Sequence, residues 1–487
     1  MRVSLQTNSI IRILGRLVLV EGALMLVPLL VCLAYGESDW KGFAVAVAAA
    51  TAAGGFAELA TAGAPATIRS REGFIITALV WIVFALFGII PFMMSDAPLG
   101  FTDAVFEVIS GFTTTGASVI TDVEAQSRGI LFWRAFTQWI GGLGIVLFML
   151  AVVPELNKAA GISLFQAEAT GITHGKLHPR IRQTALSLWG VYSLLTVATI
   201  LLLWAGPMDL FDSVCQTFAT VATGGFSTRN AGIAYWDSDY VVWVLTASMF
   251  AAGLNFMLIY SARRGGIREI LRNDVFRAYC AIIAGAYILL LADAFIRGEA
   301  DSLDRALAYP VFHIVSAVTS TGFSVCSIES WGPFAFFVTL LLMISGACAG
   351  STSGGIKIDR QIVLGRNLAN EIKRTVFPKR SYIVSLNGSA LQSSLLSRVT
   401  AFTAVYLLAM IVSTGIITMF GYTFGDSLFM TASCIGCNGL GYGATGAGGT
   451  FAALPVAVKW LLTAVMLVGR LELFTFLVLF LPSFWKR

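Results

Sequence analysis

Long apolar stretches, separated by short polar connections, dominate the pattern of this chain. A helix of about 20 apolar residues crosses the hydrocarbon core of a bilayer, and the chain has about ten such stretches. The first two lie near residues 11–35 and 42–63. The pattern predicts an all-α integral membrane protein with about ten membrane spans.

After the first two spans, a four-part pattern occurs four times: an outgoing helix, a short amphipathic half-helix, a glycine-rich segment and a returning helix. The predicted helices are 74–95, 103–112 and 130–153 in the first unit, 183–206, 211–220 and 240–261 in the second, 277–297, 308–318 and 334–350 in the third, and 398–420, 426–435 and 455–481 in the fourth. The predicted organisation is two N-terminal spans (1–66) followed by units 1 (67–160), 2 (161–265), 3 (266–385) and 4 (386–487).

The glycine segments interrupt the membrane-spanning pattern at near-regular intervals. They read TTTGAS, VATGGFS, TSTGFS and GCNGLGYG, and the glycines that align are Gly116, Gly224, Gly322 and Gly439, spaced by 108, 98 and 117 residues. Any one segment is equally compatible with a helix cap or a close-packing position. Four in the same context predict helix–pore-loop–helix units in pseudo-fourfold arrangement around one pore.

Each half-helix carries a predicted start signal. Asp103, Asp212 and Asp426 are placed to cap the first, second and fourth half-helices, and Pro310 is placed in the first turn of the third. The aligned glycine lies 13 residues beyond Asp103, Tyr309 and Asp426, but 12 beyond Asp212.

Composition and charge agree with a membrane protein. Of 487 residues, 57% are hydrophobic and 12% charged, whereas soluble domains have roughly 25% charged residues. Lys and Arg concentrate in alternate connections, so the positive-inside rule predicts that both termini are cytoplasmic and that the glycine segments open outward. Because each basic cluster lies beside a span, topology explains it and nucleic-acid binding is not predicted.

Glycine-rich backbone is suited to holding a dehydrated cation. Carbonyl oxygens can replace the ion's water shell, and glycine adopts backbone angles that let consecutive carbonyls point one way. The C-terminal ends of the half-helices would carry partial negative charge toward the same axis.

The four segments resemble the filter segments of the TrkH/KtrB/HKT potassium-transport family, close to its bacterial TrkH and TrkG branch. Gln138–Phe148, Gly346–Arg360 and Gly469–Phe480 also resemble that branch, so the resemblance covers essentially the whole chain. It implies one ion-binding glycine per unit, and glycine in all four units implies K⁺. The implied potassium filter comprises Thr114, Thr115, Gly116, Ala222, Thr223, Gly224, Ser320, Thr321, Gly322, Asn438 and Gly439.

The fourth segment departs from the family's usual pattern of paired asparagines. It reads Cys434-Ile-Gly-Cys-Asn-Gly439, which leaves Gly441 as a rival to Gly439 for the filter position.

A second glycine-rich stretch interrupts the returning helix of unit 3 and does not satisfy the P-loop pattern. It resembles the family's intramembrane gating loop, and an ordinary kink is the alternative. Arg470, in the last span, matches an arginine that the family places beneath the filter as a barrier to cations; the alternative is a snorkelling or structurally paired arginine. Lys357 is expected to bind a carbonyl or an acidic group. The implied gate comprises Gly346, Gly350, Ser351, Thr352, Gly354, Gly355, Lys357 and Arg470.

The resemblance implies a potassium-translocating subunit in the bacterial cytoplasmic (inner) membrane, with no covalently bound cofactor and with K⁺ in the filter. It also implies a homodimer and a separate cytoplasmic nucleotide-binding subunit of the TrkA type, for which the basic loops are either a docking surface or a contact with anionic lipid. No nucleophile–base pair or metal cluster predicts an enzyme. Obligatory symport of K⁺ with H⁺ or Na⁺ remains an alternative, for which Glu21, Glu58, Glu107 and Glu472 are the available carboxylates.

Overall fold

The computed structural model describes residues 6–63, 70–144, 181–297, 303–446 and 450–485. Within these ranges, seven helices are long and apolar enough to cross a membrane, or up to nine when each of two sharply bent helix pairs is counted as one span. The protein is therefore an all-helical, multi-spanning membrane protein, as the apolar pattern predicts.

The helices, in chain order, are α1 (Thr7–Tyr35), α2 (Trp40–Ala60), α3 (Ser70–Met93), α4 (Phe101–Phe112), α5 (Arg128–Gly142), α6 (Ile181–Trp204), α7 (Leu210–Val221), α8 (Asp239–Ala252), α9 (Phe256–Gly265), α10 (Ile267–Arg272), α11 (Asp274–Arg297), α12 (Leu303–Val318), α13 (Gly332–Ser345), α14 (Ile358–Val376), α15 (Ser393–Thr418), α16 (Phe424–Ile435), α17 (Val456–Arg470), α18 (Phe474–Leu477) and α19 (Pro482–Trp485). A small antiparallel hairpin, β1 (Ser385–Leu386) and β2 (Ser389–Ala390), was not predicted from the sequence.

The half-helices α4, α7, α12 and α16 occur where they are predicted, but their starts differ in detail. The residue before the first turn is Gly100, Asp209 or Thr423, so the predicted caps Asp103, Asp212 and Asp426 are wrong by three positions. The carboxylates lie in the first turn instead, where the helix dipole favours negative charge. Helix α12 begins at Leu303, which puts Pro310 inside the helix and not at its start.

Two returning helices that were predicted as continuous, those of units 2 and 4, are interrupted, and the predicted interruption in unit 3 begins directly after Ser345. The chain bends by 92° between α8 and α9 and by 107° between α17 and α18. Helix α13 ends at Ser345 and not near residue 350. In unit 1, α5 ends at Gly142, and residues 145–153 of the predicted helix lie outside the described residues. The predicted unit boundaries at 66/67 and 160/161 also lie outside them.

Aromatic packing fixes the first half-helix against its neighbours. The buried Trp133 of α5 packs edge-on against Phe43 of α2 and Phe112 of α4, with ring centroids 6.4 and 6.0 Å away. Its indole N–H donates to the carbonyl of Gly88 on α3 at 3.2 Å. Because buried aromatic rings contribute large apolar areas, this contact holds the end of α4 in place where the first glycine segment begins.

Candidate functional site

The four glycine segments share one backbone conformation, which identifies equivalent residues in the four units. Each segment has a non-glycine residue with positive φ, followed two positions later by a glycine with positive φ. The pairs are Thr114 and Gly116, Thr223 and Gly225, Ser320 and Gly322, and Cys437 and Gly439. The left-handed region favours glycine, and the second member of the pair is glycine in all four units.

This register corrects the alignment in unit 2. The equivalent of Gly116 is Gly225 and not Gly224, and the predicted set Ala222, Thr223 and Gly224 moves one residue along, to Thr223, Gly224 and Gly225. The sequence contains a signal for this register, because Gly225 lies 13 residues after Asp212, as in the other three units.

Backbone hydrogen bonds support the corrected register. The residue before each glycine donates its N–H to the carbonyl five residues earlier, at 2.7–2.9 Å, in every unit. The four bonds are Thr115 to Ser110, Gly224 to Ala219, Thr321 to Ser316 and Asn438 to Ser433. Each segment is thus attached to the last turn of its own half-helix.

The four glycines form a closed ring. A Cβ built on Gly116 would overlap the carbonyl oxygen of Gly224, one on Gly225 that of Thr321, one on Gly322 that of Asn438 and one on Gly439 that of Thr115. Each glycine therefore lies against the carbonyl of the next unit, and the fourth unit returns to the first.

One cavity of about 140 Å³ is lined by all four ring glycines, Gly116, Gly225, Gly322 and Gly439. Gly224 does not line it. Gly441 lines it too, but its φ lies outside the left-handed region, and its place corresponds to Ser118, Ser227 and Ser324 in the other units. The backbone therefore puts Gly439, and not Gly441, in the ring.

In units 1, 2 and 3, the side chain nine residues before the ring glycine forms a hydrogen bond with the chain that follows the glycine. A carboxylate oxygen of Glu107 accepts from the N–H of Val119 at 2.9 Å. The imidazole Nε2 of His313 accepts from the corresponding N–H of Val325 at 3.4 Å. In unit 2 the amide of Gln216 donates to the hydroxyl of Ser227 at 3.0 Å. Sequence analysis did not single out these positions for this role, although their constant distance from the glycine would have revealed them.

A buried ion pair lies behind the ring in unit 1. The guanidinium of Arg134 is 2.8 Å from the carboxylate of Glu107, and both side chains are almost fully buried. Arg134 also donates to the Ser118 hydroxyl at 3.1 Å and to the carbonyl of Ser227 at 3.1 Å. The pair thus connects the segments of units 1 and 2.

On the cavity side, loops from units 1 and 2 are held together by Asn230. Its amide donates to the carboxylate of Asp122 at 2.8 Å and accepts from the N–H of Val123 at 2.7 Å. The hydrogen bond from Asn230 is the main reason that the pKa of Asp122 is lowered.

The intramembrane loop, residues 346–357, packs against the ends of three half-helices. The Thr352 hydroxyl donates to the carbonyl of Val221 at 3.2 Å, and the hydroxyls of Ser353 and Ser320 are 3.3 Å apart. A Cβ on Gly354 would overlap the carbonyl oxygen of Gly436. Residues 221, 320 and 436 all lie just before their ring glycines, so the loop lies immediately under the ring.

Small residues allow the loop to fold this tightly. Gly346, Gly350 and Gly355 have positive φ, and a Cβ on Gly346 would overlap the carbonyl of Gly354. The Ser351 hydroxyl closes a turn by donating to the carbonyl of Cys348 at 2.6 Å. This structure is a folded loop rather than an ordinary helix kink.

Arg470 joins the loop to two other units. Its guanidinium donates to the carbonyl of Thr352 at 3.0 Å and to the carbonyl of Gly142, at the end of α5, at 2.7 Å. Helix α17 ends at Arg470, so the residue lies at a break and not within a continuous span.

Glu472, two residues after Arg470, binds the end of the loop. Its carboxylate is 2.6 Å from the guanidinium of Arg360 and 3.7 Å from the ammonium of Lys357. The prediction that Lys357 binds a carbonyl or an acidic group is consistent with this contact.

The class defined by this fold is a membrane protein with four helix–segment–helix units closed around a common axis. Residues 41–270 and 300–487 match the sequence profile of the TrkH family, described as a cation transport protein. The chain belongs to the TrkH family.

Individual relatives match along almost their whole length. The chain is 36% identical to the Trk system potassium uptake protein TrkH of Escherichia coli (strain K12) over 484 residues, covering 99% of each protein. It is 33% identical to the Trk system potassium uptake protein TrkG of the same strain, covering 97% of each. The crystal structure of the potassium transporter TrkH from Vibrio parahaemolyticus superposes with a TM-score of 0.90 at 31% identity, covering 99% of this chain and 100% of the other.

Proposed function

We propose that this protein is the potassium-translocating subunit of a Trk-type uptake system. The observation that carries the proposal is the closed ring: four glycines with positive φ, one from each unit, line the same cavity. A relative that shares 36% of its residues is named a potassium uptake protein.

In the proposed filter, dehydrated K⁺ is coordinated by main-chain carbonyls of the four segments. Carbonyl oxygens replace the hydration shell of the ion, and the C-terminal ends of α4, α7, α12 and α16 add negative potential. The filter comprises Thr114, Thr115 and Gly116, then Thr223, Gly224 and Gly225, then Ser320, Thr321 and Gly322, and finally Cys437, Asn438 and Gly439.

The proposed gate is the intramembrane loop together with Arg470. The loop contacts residues just under the ring, and Arg470 attaches it to the end of α5. A positive charge at this point would oppose the passage of cations. Opening therefore requires the loop and the guanidinium to move aside together.

The ion pairs of the candidate carboxylates favour passive transport over symport. Glu58 is paired with Arg12 and Arg16, Glu107 with Arg134, and Glu472 with Arg360 and Lys357. Because each of these three carboxylates is already paired with a cationic side chain, it is a poor candidate for binding a coupled ion. The carboxyl of Glu21 is buried without a hydrogen-bond partner among the described residues, and it is the one that symport would use.

We further propose that the protein resides in the bacterial inner membrane with cytoplasmic termini, as a homodimer regulated by a nucleotide-binding subunit. The positive-inside distribution of Lys and Arg supports the orientation. The relatives' description as parts of a Trk system supports a multi-component assembly.

The test is uptake of radioactive rubidium into K⁺-loaded liposomes that contain the purified protein. With the voltage clamped, competition by external K⁺ but not Na⁺, unaffected by a proton uncoupler, is the expected result. Uptake that requires a Na⁺ or H⁺ gradient would replace the passive pore by symport. Absence of any competition by K⁺ would overturn the proposed substrate.

A further inference from the structure

Gly224 directly precedes the ring glycine of unit 2, at a position where units 1 and 3 have threonine. The equivalents Thr115 and Thr321 have hydroxyls that lie 2.8 and 2.7 Å from those of Thr113 and Thr319. These pairs stiffen the segments of units 1 and 3. In unit 2 the corresponding residues are Ala222 and Gly224, so this hydroxyl pair is missing.

The side chain of Gln138, on α5 of unit 1, fills the place of the missing threonine. Its amide N–H donates to the carbonyl of Gly224 at 2.7 Å, and its amide oxygen accepts from the N–H of Phe226 at 3.2 Å. The side chain is fully buried. The orientation of the amide is fixed, because a carbonyl only accepts and a main-chain N–H only donates.

Space, and not backbone conformation, requires glycine at position 224. Its φ lies outside the left-handed region, so an L-residue could adopt this backbone. A Cβ there would instead overlap the amide of Gln138. Gln138 and Gly224 therefore depend on each other: the glutamine needs the missing side chain, and the segment needs the amide.

We propose that Gln138 is a positioning residue that determines ion selectivity by holding the unit 2 carbonyl of the filter in place. The inference rests on the proposed function. A carbonyl that lost this bond could shift toward a smaller cation, and the main-chain groups of Gly224 and Phe226 would be left buried without their partner.

The experiment compares Gln138→Leu and Gln138→Glu with wild type in the rubidium uptake assay, with Na⁺ as competitor. We expect about a tenfold loss of preference for K⁺ over Na⁺, equivalent to about 1.4 kcal/mol. Gln138→Glu keeps the acceptor for Phe226 but loses the donor to Gly224, so it should also lose selectivity. The matched control is Thr196→Val, which removes the 3.1 Å bond from the indole of Trp139, next to Gln138 but directed to α6.

A swap separates positioning from general stability. Gly224→Thr alone should clash with Gln138 and reduce selectivity. The triple variant Gln138→Ala, Ala222→Thr and Gly224→Thr, which restores the hydroxyl pair of units 1 and 3, should regain selectivity relative to Gln138→Ala and to Gly224→Thr. The inference is overturned if Gln138→Leu, with a thermal midpoint like that of Thr196→Val, selects K⁺ as wild type does. If Gln138→Leu does not fold, a triple variant that is no more selective than Gln138→Ala and Gly224→Thr overturns it. A wild-type protein without K⁺ selectivity would instead refute the proposed function.

Discussion

Arg470 donates a hydrogen bond of 3.0 Å to the carbonyl of Thr352, and this contact connects the end of α17 to the loop under the glycine ring. The same guanidinium reaches the carbonyl of Gly142. The structure shows the tether of the loop, and in the proposed gate the same side chain also supplies a positive charge that opposes cations. Substitutions can separate these two roles.

Arg470→Ala should raise rubidium flux by about tenfold, because it removes both the charge and the tether, and tenfold corresponds to about 1.4 kcal/mol of barrier. Arg470→Lys keeps the charge but cannot reproduce the several donors of a guanidinium. If the tether dominates, flux through the lysine variant should approach that of the alanine variant; if the charge dominates, it should stay near wild type. Unchanged flux in Arg470→Ala at normal expression would contradict a role in the barrier.

Gly225→Ala should abolish K⁺-selective uptake, since the backbone at this position has φ of 78° and the added Cβ would overlap the carbonyl of Thr321. Gly441→Ala is the control, because Gly441 lines the same cavity without a left-handed φ. Its selectivity should remain that of wild type. If Gly441→Ala lost selectivity and Gly225→Ala did not, the assignment of Gly225 to the filter would be wrong.

Glu107→Gln should destabilise the protein by about 3–5 kcal/mol, because it leaves the buried Arg134 without its counter-charge. The comparison is Glu58→Gln, which breaks partly exposed pairs with Arg12 and Arg16 and should cost about 0–1 kcal/mol. Denaturant unfolding of the detergent-solubilised variants measures both. Equal losses in the two variants would count against a special role for the Glu107 pair.

The carboxyl group of Asp122 should make the stability of the folded protein depend on pH. The pKa of its carboxyl is lowered, mainly by the hydrogen bond from Asn230, so the folded state gains stability above the pKa of the unfolded chain and loses it as the pH falls. The difference in thermal midpoint between wild type and Asp122→Asn should therefore be constant near neutral pH and shrink below about pH 4, the ordinary range of Asp. A difference that grows as the pH falls would contradict this assignment.

Local patterns in the sequence were sufficient for the fold class and for the location of the segments. Apolar length predicts spans because a bilayer offers no partner for an unpaired backbone, and the repeated glycines mark the points where the spans are interrupted. The half-helices α4, α7 and α16 begin within two residues of their predicted starts. The resemblance to the TrkH family added the gating loop and Arg470, and the comparisons confirm the family.

Only the tertiary structure decided how the four segments meet. The distance of 13 residues from Asp212 already favours Gly225 over Gly224, but the contact of Gly225 with Thr321, almost a hundred residues along the chain, is seen only in the structure. The pairing of Gln138 with Gly224, of Arg134 with Glu107 and of Arg360 with Glu472 joins residues that no local pattern relates. Sequence periodicity reports which face of a helix avoids water, whereas a filter depends on which carbonyl lies against which glycine. That relationship exists only once four separate units have closed around an axis.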